Sequence, residues 1–155
     1  MLTAVDTNVI SALWSKEPAA TGIKELLFAA RREGALVVCA PVYAELLAYP
    51  GATKSFVTAF LQDTDIEIQV NLSLDVWALT GEAFSSYAER RRKDRVGQPK
   101  RLLVDFLVGA HALLKTDQLL TLDPKRYRTA YPKLRLMPKD EFGSVDTKRA
   151  GRDWT

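Results

Sequence analysis

Short apolar runs alternate with helical stretches along most of the chain, and this alternation restricts the fold more than any other feature. Apolar runs of strand length cover residues 2–5, 36–39, 66–70 and 119–121, with a possible fifth at 134–137. Apolar residues recur at helical spacing between these runs, and the predicted helices cover residues 10–14, 21–32, 41–49, 55–61, 73–92 and 102–114. Strands separated by helices predict an α/β fold, namely a three-layer α/β/α sandwich around a mostly parallel sheet of four to five strands.

The composition narrows the class of protein. A chain of 155 residues is long enough to bury one substantial core. The single cysteine, Cys39, excludes an intrachain disulfide and a Cys-rich zinc site. No stretch approaches the ~20 apolar residues of a membrane span, and the N-terminus has no signal-peptide core. We therefore expect a soluble, cytoplasmic domain over residues 1–138, followed by a tail over residues 139–155 that is mobile or docks on a partner.

Basic residues are concentrated in the second half of the chain. Residues 1–88 contain 5 Lys and Arg against 10 Asp and Glu, whereas residues 89–155 contain 17 against 9. Most of the basic excess lies in two stretches, residues 89–101 and 125–139. Such stretches suggest a polyanionic partner such as nucleic acid, although a charged face is often simply solvated.

Three acidic residues follow the predicted strands, where ligands bind in parallel sheets. Asp6 follows the first strand and Asp123 follows the fourth. Either residue could instead be the N-cap of the next helix, a position that Asp fills well. Glu45 lies one turn after Pro41 in the helix that follows the second strand. Taken alone, Glu45 could equally be a solvated helix residue.

Asp105 stands out because its surroundings in the sequence are apolar. Between residues 102 and 114 the only polar side chains are those of Asp105 and His111. A helix that is apolar nearly all round should be buried, and a buried carboxylate is costly unless it is paired or binds a metal. Arg101 is the possible ion-pair partner. His111 lies roughly 240° around the helix from Asp105, which favours a packed histidine over a ligand.

Together, the four acids predict a specific chemistry. All four could meet at one edge of the sheet, where their mutual repulsion would raise their pKa values. A hard cation would resolve this conflict, and oxygen-only ligands favour Mg²⁺ or Mn²⁺ over zinc. Such an ion polarises a phosphodiester and lowers the pKa of an attacking water. The pattern therefore predicts metal-assisted hydrolysis of a phosphate ester.

The same residues resemble the PIN-domain nucleases. The resemblance rests on Val-Asp-Thr-Asn at residues 5–8, on Glu45, on the run at residues 105–112 and on Thr-Leu-Asp at residues 121–123, and it covers about residues 1–138. Within that family the chain looks most like the VapC toxins of type II toxin–antitoxin pairs. The resemblance implies Mg²⁺- or Mn²⁺-dependent RNA cleavage, a homodimer, and inhibition by a cognate VapB-like antitoxin.

The resemblance also implies roles for individual residues. The acidic quartet that holds the metal would be Asp6, Glu45, Asp105 and Asp123, and our own hypothesis is that Asp6 and Asp105 are its principal ligands. The supporting polar groups would be Thr7, Asn8 and Thr121. Separately from the resemblance, the two basic stretches lead us to expect that basic side chains contact the RNA phosphates and position the RNA without specifying its sequence. These contacts are Arg90, Arg91, Arg92, Lys93, Arg95, Lys100, Arg101, Arg126 and Arg128, with Lys133 beside them.

Other interpretations remain open at this point. A haloacid-dehalogenase-type phosphatase also has an Asp after its first strand, but it needs a second Asp where this chain has Asn8. A response-regulator receiver needs a further acid beside that Asp, and Val5 and Thr7 stand there instead. A catalytically silent PIN-like module that binds RNA or protein is the non-enzymatic alternative, and four acids facing phosphate argue against it.

Four aromatic residues fall in the first helical stretches, namely Trp14, Phe28, Phe56 and Phe60. The simple interpretation is that they pack in the core. The alternative is that they form a groove for an amphipathic antitoxin helix.

Overall fold

The computed structural model describes residues 1–16, 20–94 and 100–138. The predicted tail at 139–155 and the predicted RNA contact Arg95 lie outside the described residues. The strands are β1 (Leu2–Val5), β2 (Ala35–Cys39), β3 (Ile66–Gln69), β4 (Gln118–Leu120) and β5 (Leu136–Met137). The helices are α1 (Thr7–Trp14), α2 (Ala20–Glu33), α3 (Ala40–Leu47), α4 (Lys54–Asp63), α5 (Leu74–Lys93), α6 (Leu103–Lys115) and α7 (Pro124–Arg128). In this part of the chain no helix has the length and apolar character needed to cross a membrane.

All five strands are parallel and form one sheet in the order β3-β2-β1-β4-β5, flanked by helices. This confirms the predicted α/β fold class. The chain builds outward from β1 through β2 to β3, then returns to the other side of β1 with β4 and β5. The carboxyl ends of β1 and β4 therefore form the point where the strand order reverses, which is where ligands bind in sheets of this kind.

Buried apolar strands hold the centre of the sheet. The last four residues of β2 are all buried, as expected for a parallel strand covered on both faces. The approach of β2 to β1 depends on Gly34, because a Cβ there would lie only 1.8 Å from the Met1 carbonyl oxygen. Ala35 N then donates to that same oxygen at 3.0 Å, which starts the register of Leu2 opposite Ala35.

Most element boundaries differ from the prediction by one to three residues, and two of these differences lie at the candidate site. Helix α1 begins at Thr7 rather than at residue 10, because the Asp6 carboxylate accepts a hydrogen bond from Thr7 N at 2.8 Å. Strand β4 ends at Leu120 rather than at residue 121. The buried Thr121 hydroxyl instead donates to Asp6.

Helix α6 is buried only in part. Residues 106–112 are buried, as predicted, but the first turn is open, with Leu102 61% exposed just before the helix. Asp105 is half-buried rather than buried. His111 is buried and its Nε2 lies 2.6 Å from Gln69 Oε1, which confirms the prediction of a packed histidine.

Candidate active site

Asp6 lies at the switch point of the sheet. It directly follows β1, and its backbone N donates to Leu120 O of β4 at 3.0 Å. Its side chain is buried and accepts three hydrogen bonds: Oδ1 from Thr7 N, and Oδ2 from Thr121 Oγ1 at 2.9 Å and from Tyr127 OH at 2.7 Å. Burial raises the pKa of Asp6, and the bonds from Tyr127 and Thr121 oppose that rise. Asp6 is therefore both the N-cap of α1 and a fixed carboxylate of the site.

Glu45 faces the same region from α3. Its Oε1 accepts a hydrogen bond from Thr7 Oγ1 at 2.8 Å, although the residue is exposed overall. Partial loss of solvent raises the pKa of Glu45, the Thr7 bond lowers it, and the carboxylates of Asp6 and Asp105 raise it further. The Glu45 carboxylate therefore interacts electrostatically with Asp6 and Asp105, although it stays exposed to solvent.

Asp105 has a different partner from the one considered above. Its Oδ2 accepts from Leu102 N at 3.1 Å, and its Oδ1 lies 3.2 Å from Arg126 Nη1. The partner is therefore Arg126, and the pairing with Arg101 is wrong. Arg101 precedes the start of α6, so the spacing of helical turns does not bring it to Asp105. Its guanidinium instead donates to the Arg126 carbonyl at 2.7 Å.

Asp123 is the N-cap of α7, as one of its two interpretations predicted. Its Oδ1 accepts from Arg126 N at 3.4 Å, and its Oδ2 lies 3.3 Å from Arg126 Nε. The carboxylates of Asp105 and Asp123 therefore share one guanidinium.

Three of the four acids line one pocket of about 500 Å³. The lining residues are Asp6, Thr7, Asn8, Ser11, Glu45, Leu46, Ala48, Tyr49, Asp105, Val108 and Arg126. Asp123 is absent from this lining and connects to the pocket through Arg126. Asn8 acts on Asp6 only indirectly, because its amide Nδ2 lies 3.4 Å from Thr121 Oγ1 and its Oδ1 accepts from Leu122 N at 3.2 Å.

The donor chemistry of the pocket suits a hard divalent cation. Carboxylates and hydroxyls are the oxygen ligands that Mg²⁺ and Mn²⁺ prefer. Within residues 1–16, 20–94 and 100–138, however, no three Asp, Glu, His or Cys side chains are grouped so that they could hold one ion. The carboxylates would have to turn toward a common point before three of them could chelate it.

Basic side chains lie beside the acidic pocket. The exposed run from Arg90 to Lys93 ends α5. The Tyr87 hydroxyl, one turn before that run, accepts from Arg101 N at 2.7 Å, so this end of α5 lies next to the start of α6. Among the other predicted RNA contacts, the exposed residues are Lys100, Arg128 and Lys133, and the half-buried residues are Arg101 and Arg126. Basic groups therefore flank the end of α6 that carries Asp105.

Tyr127 is the main site residue that the sequence analysis missed. It is 1% exposed and its hydroxyl bonds Asp6. The available signal was the sequence Asp-Pro at residues 123–124, which predicts a helical turn starting at the carboxyl end of β4. A helical turn that starts there packs one face against the end of β1, and Tyr127 lies on that face.

Three of the four aromatic residues form one cluster. The ring of Trp14 lies 5.0 Å from that of Phe56 and 5.2 Å from that of Phe60, and it also contacts Tyr49 at 5.3 Å. Tyr49 also lines the acidic pocket. Phe28 on α2 is 65% exposed. The cluster is thus continuous with one wall of the pocket.

The fold and the site define a class: a parallel α/β protein with an acidic pocket where its strand order reverses. The sequence model of the PIN domain family matches residues 3–131, and the chain belongs to that family.

Two solved structures are similar to the chain. One is VapBC2 from Rickettsia felis bound to a DNA fragment from their promoter, with 22% identity, a TM-score of 0.61, and coverage of 88% of this chain and 97% of that chain. The other is VapBC-1 from nontypeable Haemophilus influenzae, with 20% identity, a TM-score of 0.57, and coverage of 88% and 96%. A comparison with curated proteins found no significant match. At these identities the two structures establish a shared fold.

Proposed function

We propose that this protein is a divalent-metal-dependent ribonuclease and the toxin of a type II toxin–antitoxin pair. The observation that carries the proposal is the convergence of Asp6, Glu45 and Asp105, from three separate elements, on one pocket at the switch point of the sheet. Membership of the PIN domain family and the fold shared with two VapBC structures support it.

The chain's own residues would hold the ion and fix its ligands. Asp6 and Asp105 would be the principal ligands, and Glu45 and Asp123 would bind directly or through water. The ion, Mg²⁺ or Mn²⁺, would polarise the phosphodiester and lower the pKa of the attacking water. Thr121 and Tyr127 hold Oδ2 of Asp6, and Thr7 holds Glu45. These bonds set the directions in which the carboxylates point.

The basic groups beside the pocket would bind the RNA backbone. Arg90 to Lys93 at the end of α5, together with Lys100 and Arg128, would contact phosphates and leave sequence choice to other contacts. We therefore expect RNA affinity to fall steeply as salt is added, because each neutralised phosphate releases counterions. A filter-binding titration of the Asp105→Asn variant at increasing NaCl measures this, and a flat response would remove these residues from the RNA site.

The aromatic cluster is the proposed docking surface for a VapB-like antitoxin. Trp14 and Phe60 anchor the cluster, and Phe56 is 47% exposed at its edge. An antitoxin helix bound to this cluster would lie next to the acidic pocket, because Tyr49 belongs to both the cluster and the pocket lining. Phe56→Asp should abolish co-purification with an antitoxin encoded next to this gene, and unchanged co-purification would exclude this surface. The homodimer stays a prediction.

The decisive experiment is cleavage of total cellular RNA by the purified protein, with Mn²⁺ or Mg²⁺ and with EDTA. Asp6→Asn and Asp105→Asn should abolish cleavage while the circular dichroism spectrum stays unchanged. Asp63→Asn is the matched control, because Asp63 is exposed at the end of α4. Cleavage that survives EDTA and both active-site variants would refute the metal site.

The alternative is a catalytically silent PIN-like module. It predicts RNA or protein binding by antitoxin-free protein, with no cleavage under any metal condition. Metal-dependent cleavage that Asp105→Asn removes would exclude it.

A further inference from the structure

Arg126 is the one basic residue among the described residues that line the acidic pocket. Its Nη1 lies 3.2 Å from Asp105 Oδ1, and its Nε lies 3.3 Å from Asp123 Oδ2. The guanidinium is half-buried, and it holds two of the four acids assigned above to the metal. The guanidinium of Arg126 therefore lies where we expect the divalent cation to bind.

The backbone of Arg126 is fixed, whereas its side chain has room to move. Its N donates to Asp123, and its carbonyl accepts the bond from Arg101. The guanidinium contacts carboxylates on one side and the open pocket on the other. A change of rotamer would therefore release Asp105 and Oδ2 of Asp123 without unfolding α7, because Oδ1 of Asp123 would keep its bond from Arg126 N.

The carboxylates of Asp105 and Asp123 are oriented toward the guanidinium, whereas the carboxylate of Asp6 is held by two hydroxyls. Oδ1 of Asp105 points to Arg126 and Oδ2 is occupied by Leu102 N, while Oδ2 of Asp6 is occupied by Thr121 and Tyr127. This agrees with the finding that no three acids in the described ranges are grouped to hold one ion. An ion that takes Asp105 as ligand must displace the guanidinium or share the carboxylate with it.

We propose that Arg126 is an internal counter-ion that exchanges with the divalent cation. Without metal it neutralises Asp105 and Asp123 and limits the repulsion among the acids of the pocket. When the cation binds, Arg126 leaves these carboxylates and becomes free to contact the phosphate of the RNA. The residue therefore sets the metal affinity and acts as a positioning residue for the substrate. This inference rests on the proposed metal-dependent function.

The test is Mn²⁺ binding by isothermal titration calorimetry on the full chain, without RNA. Arg126→Gln removes the competing charge, and we expect its Mn²⁺ affinity to be about tenfold tighter than that of the unchanged protein. Arg126→Lys keeps the charge and should bind Mn²⁺ nearly as the unchanged protein does. Lys125→Gln is the matched control, because it removes one exposed positive charge from the preceding position of the same helix.

Thermal unfolding provides a second readout and shows whether the variants fold. Arg126→Gln should melt below the unchanged protein in EDTA, since its carboxylates are then uncompensated. Added Mn²⁺ should raise its melting temperature by more than it raises that of the unchanged protein. With Mn²⁺ saturating, its KM for RNA should rise, because the phosphate contact is lost.

The outcomes separate the two proposals. Equal Mn²⁺ affinity in the unchanged protein and in Arg126→Gln would overturn the exchange and leave the metal-dependent function in place. Weaker binding in Arg126→Gln would also overturn it and would make Arg126 an organiser of the ligands. If no form of the protein binds Mn²⁺, the metal-dependent function fails and the exchange fails with it.

Discussion

The hydrogen bond from Tyr127 to Asp6 offers a quantitative test of how the site is built. The hydroxyl lies 2.7 Å from Asp6 Oδ2, and the two residues are 1% and 4% exposed. Tyr127→Phe keeps the packed ring and removes only this donor. A hydrogen bond to a charged group contributes roughly 1.5–3 kcal/mol. Because Thr121 still donates to the same oxygen, we expect a loss of about 2 kcal/mol in the free energy of unfolding.

The chain contains a matched control for this substitution. The hydroxyl of Tyr131 is also buried, and it donates to the neutral carbonyl of Phe106 at 2.6 Å. Tyr131→Phe should therefore cost only about 1 kcal/mol, the ordinary value for a neutral hydrogen bond. Urea unfolding at pH 7.5, with equal m-values, measures both losses.

A double-mutant cycle assigns the cost to Asp6. In an Asp6→Asn background the partner of the Tyr127 hydroxyl is a neutral amide, so Tyr127→Phe should cost less than it does in the unchanged protein. The reasoning is refuted if Tyr127→Phe costs no more than Tyr131→Phe, or if its cost is the same in both backgrounds.

Two further predictions concern α6, the helix that carries Asp105. Burial lowers the pKa of His111 from 6.5 to about 4, so between these values the unfolded chain binds a proton that the folded chain does not. The contribution of His111 to stability should therefore fall by about 1.4 kcal/mol per pH unit as the pH drops through this window, whereas Asp6 and Glu45, whose pKa values are raised, contribute in the opposite direction. Urea unfolding of His111→Gln should lack the His111 part of the slope. Gly109→Ala places a Cβ about 2.3 Å from the ring of Tyr131, so it should destabilise the fold by about 1–3 kcal/mol. A higher melting temperature for this variant, as helix propensity alone would give, would contradict the packing argument.

Sequence reasoning worked where one physical effect dominates. A parallel strand covered on both faces must be apolar throughout, so residues 36–39 could be recognised as a strand without any other information. Parallel strands also end at one edge, and this predicts that Asp6, Glu45, Asp105 and Asp123 lie near one another, although Asp123 does not line the pocket. The structure confirms that the other three line one pocket, and their role as metal ligands stays a prediction.

Sequence reasoning failed where the outcome depends on which way a short helix faces. Helix α7 has only five residues, too few to show an apolar period. Arg126 and Arg128 therefore look equivalent in the sequence, as two basic residues after Asp123. In the structure Arg126 points into the pocket and Arg128 is exposed. The orientation of Tyr127 could not be predicted for the same reason. Its contact with Asp6 joins residues that are 121 positions apart in the sequence.

The two interpretations of Asp6, helix cap and site carboxylate, are compatible because they use different oxygens. Oδ1 caps α1 through Thr7 N, and Oδ2 accepts from the hydroxyls of Thr121 and Tyr127. Asp6→Asn keeps an oxygen for the cap, and each hydroxyl can turn to accept from the new amide. Asp6→Ala would remove the cap as well, at a cost of about 1 kcal/mol, and would leave two buried hydroxyls without their acceptor. Only the Asn variant therefore separates loss of charge from loss of fold, and a folded Asp6→Asn protein that still cleaves RNA would exclude the carboxylate from the chemistry.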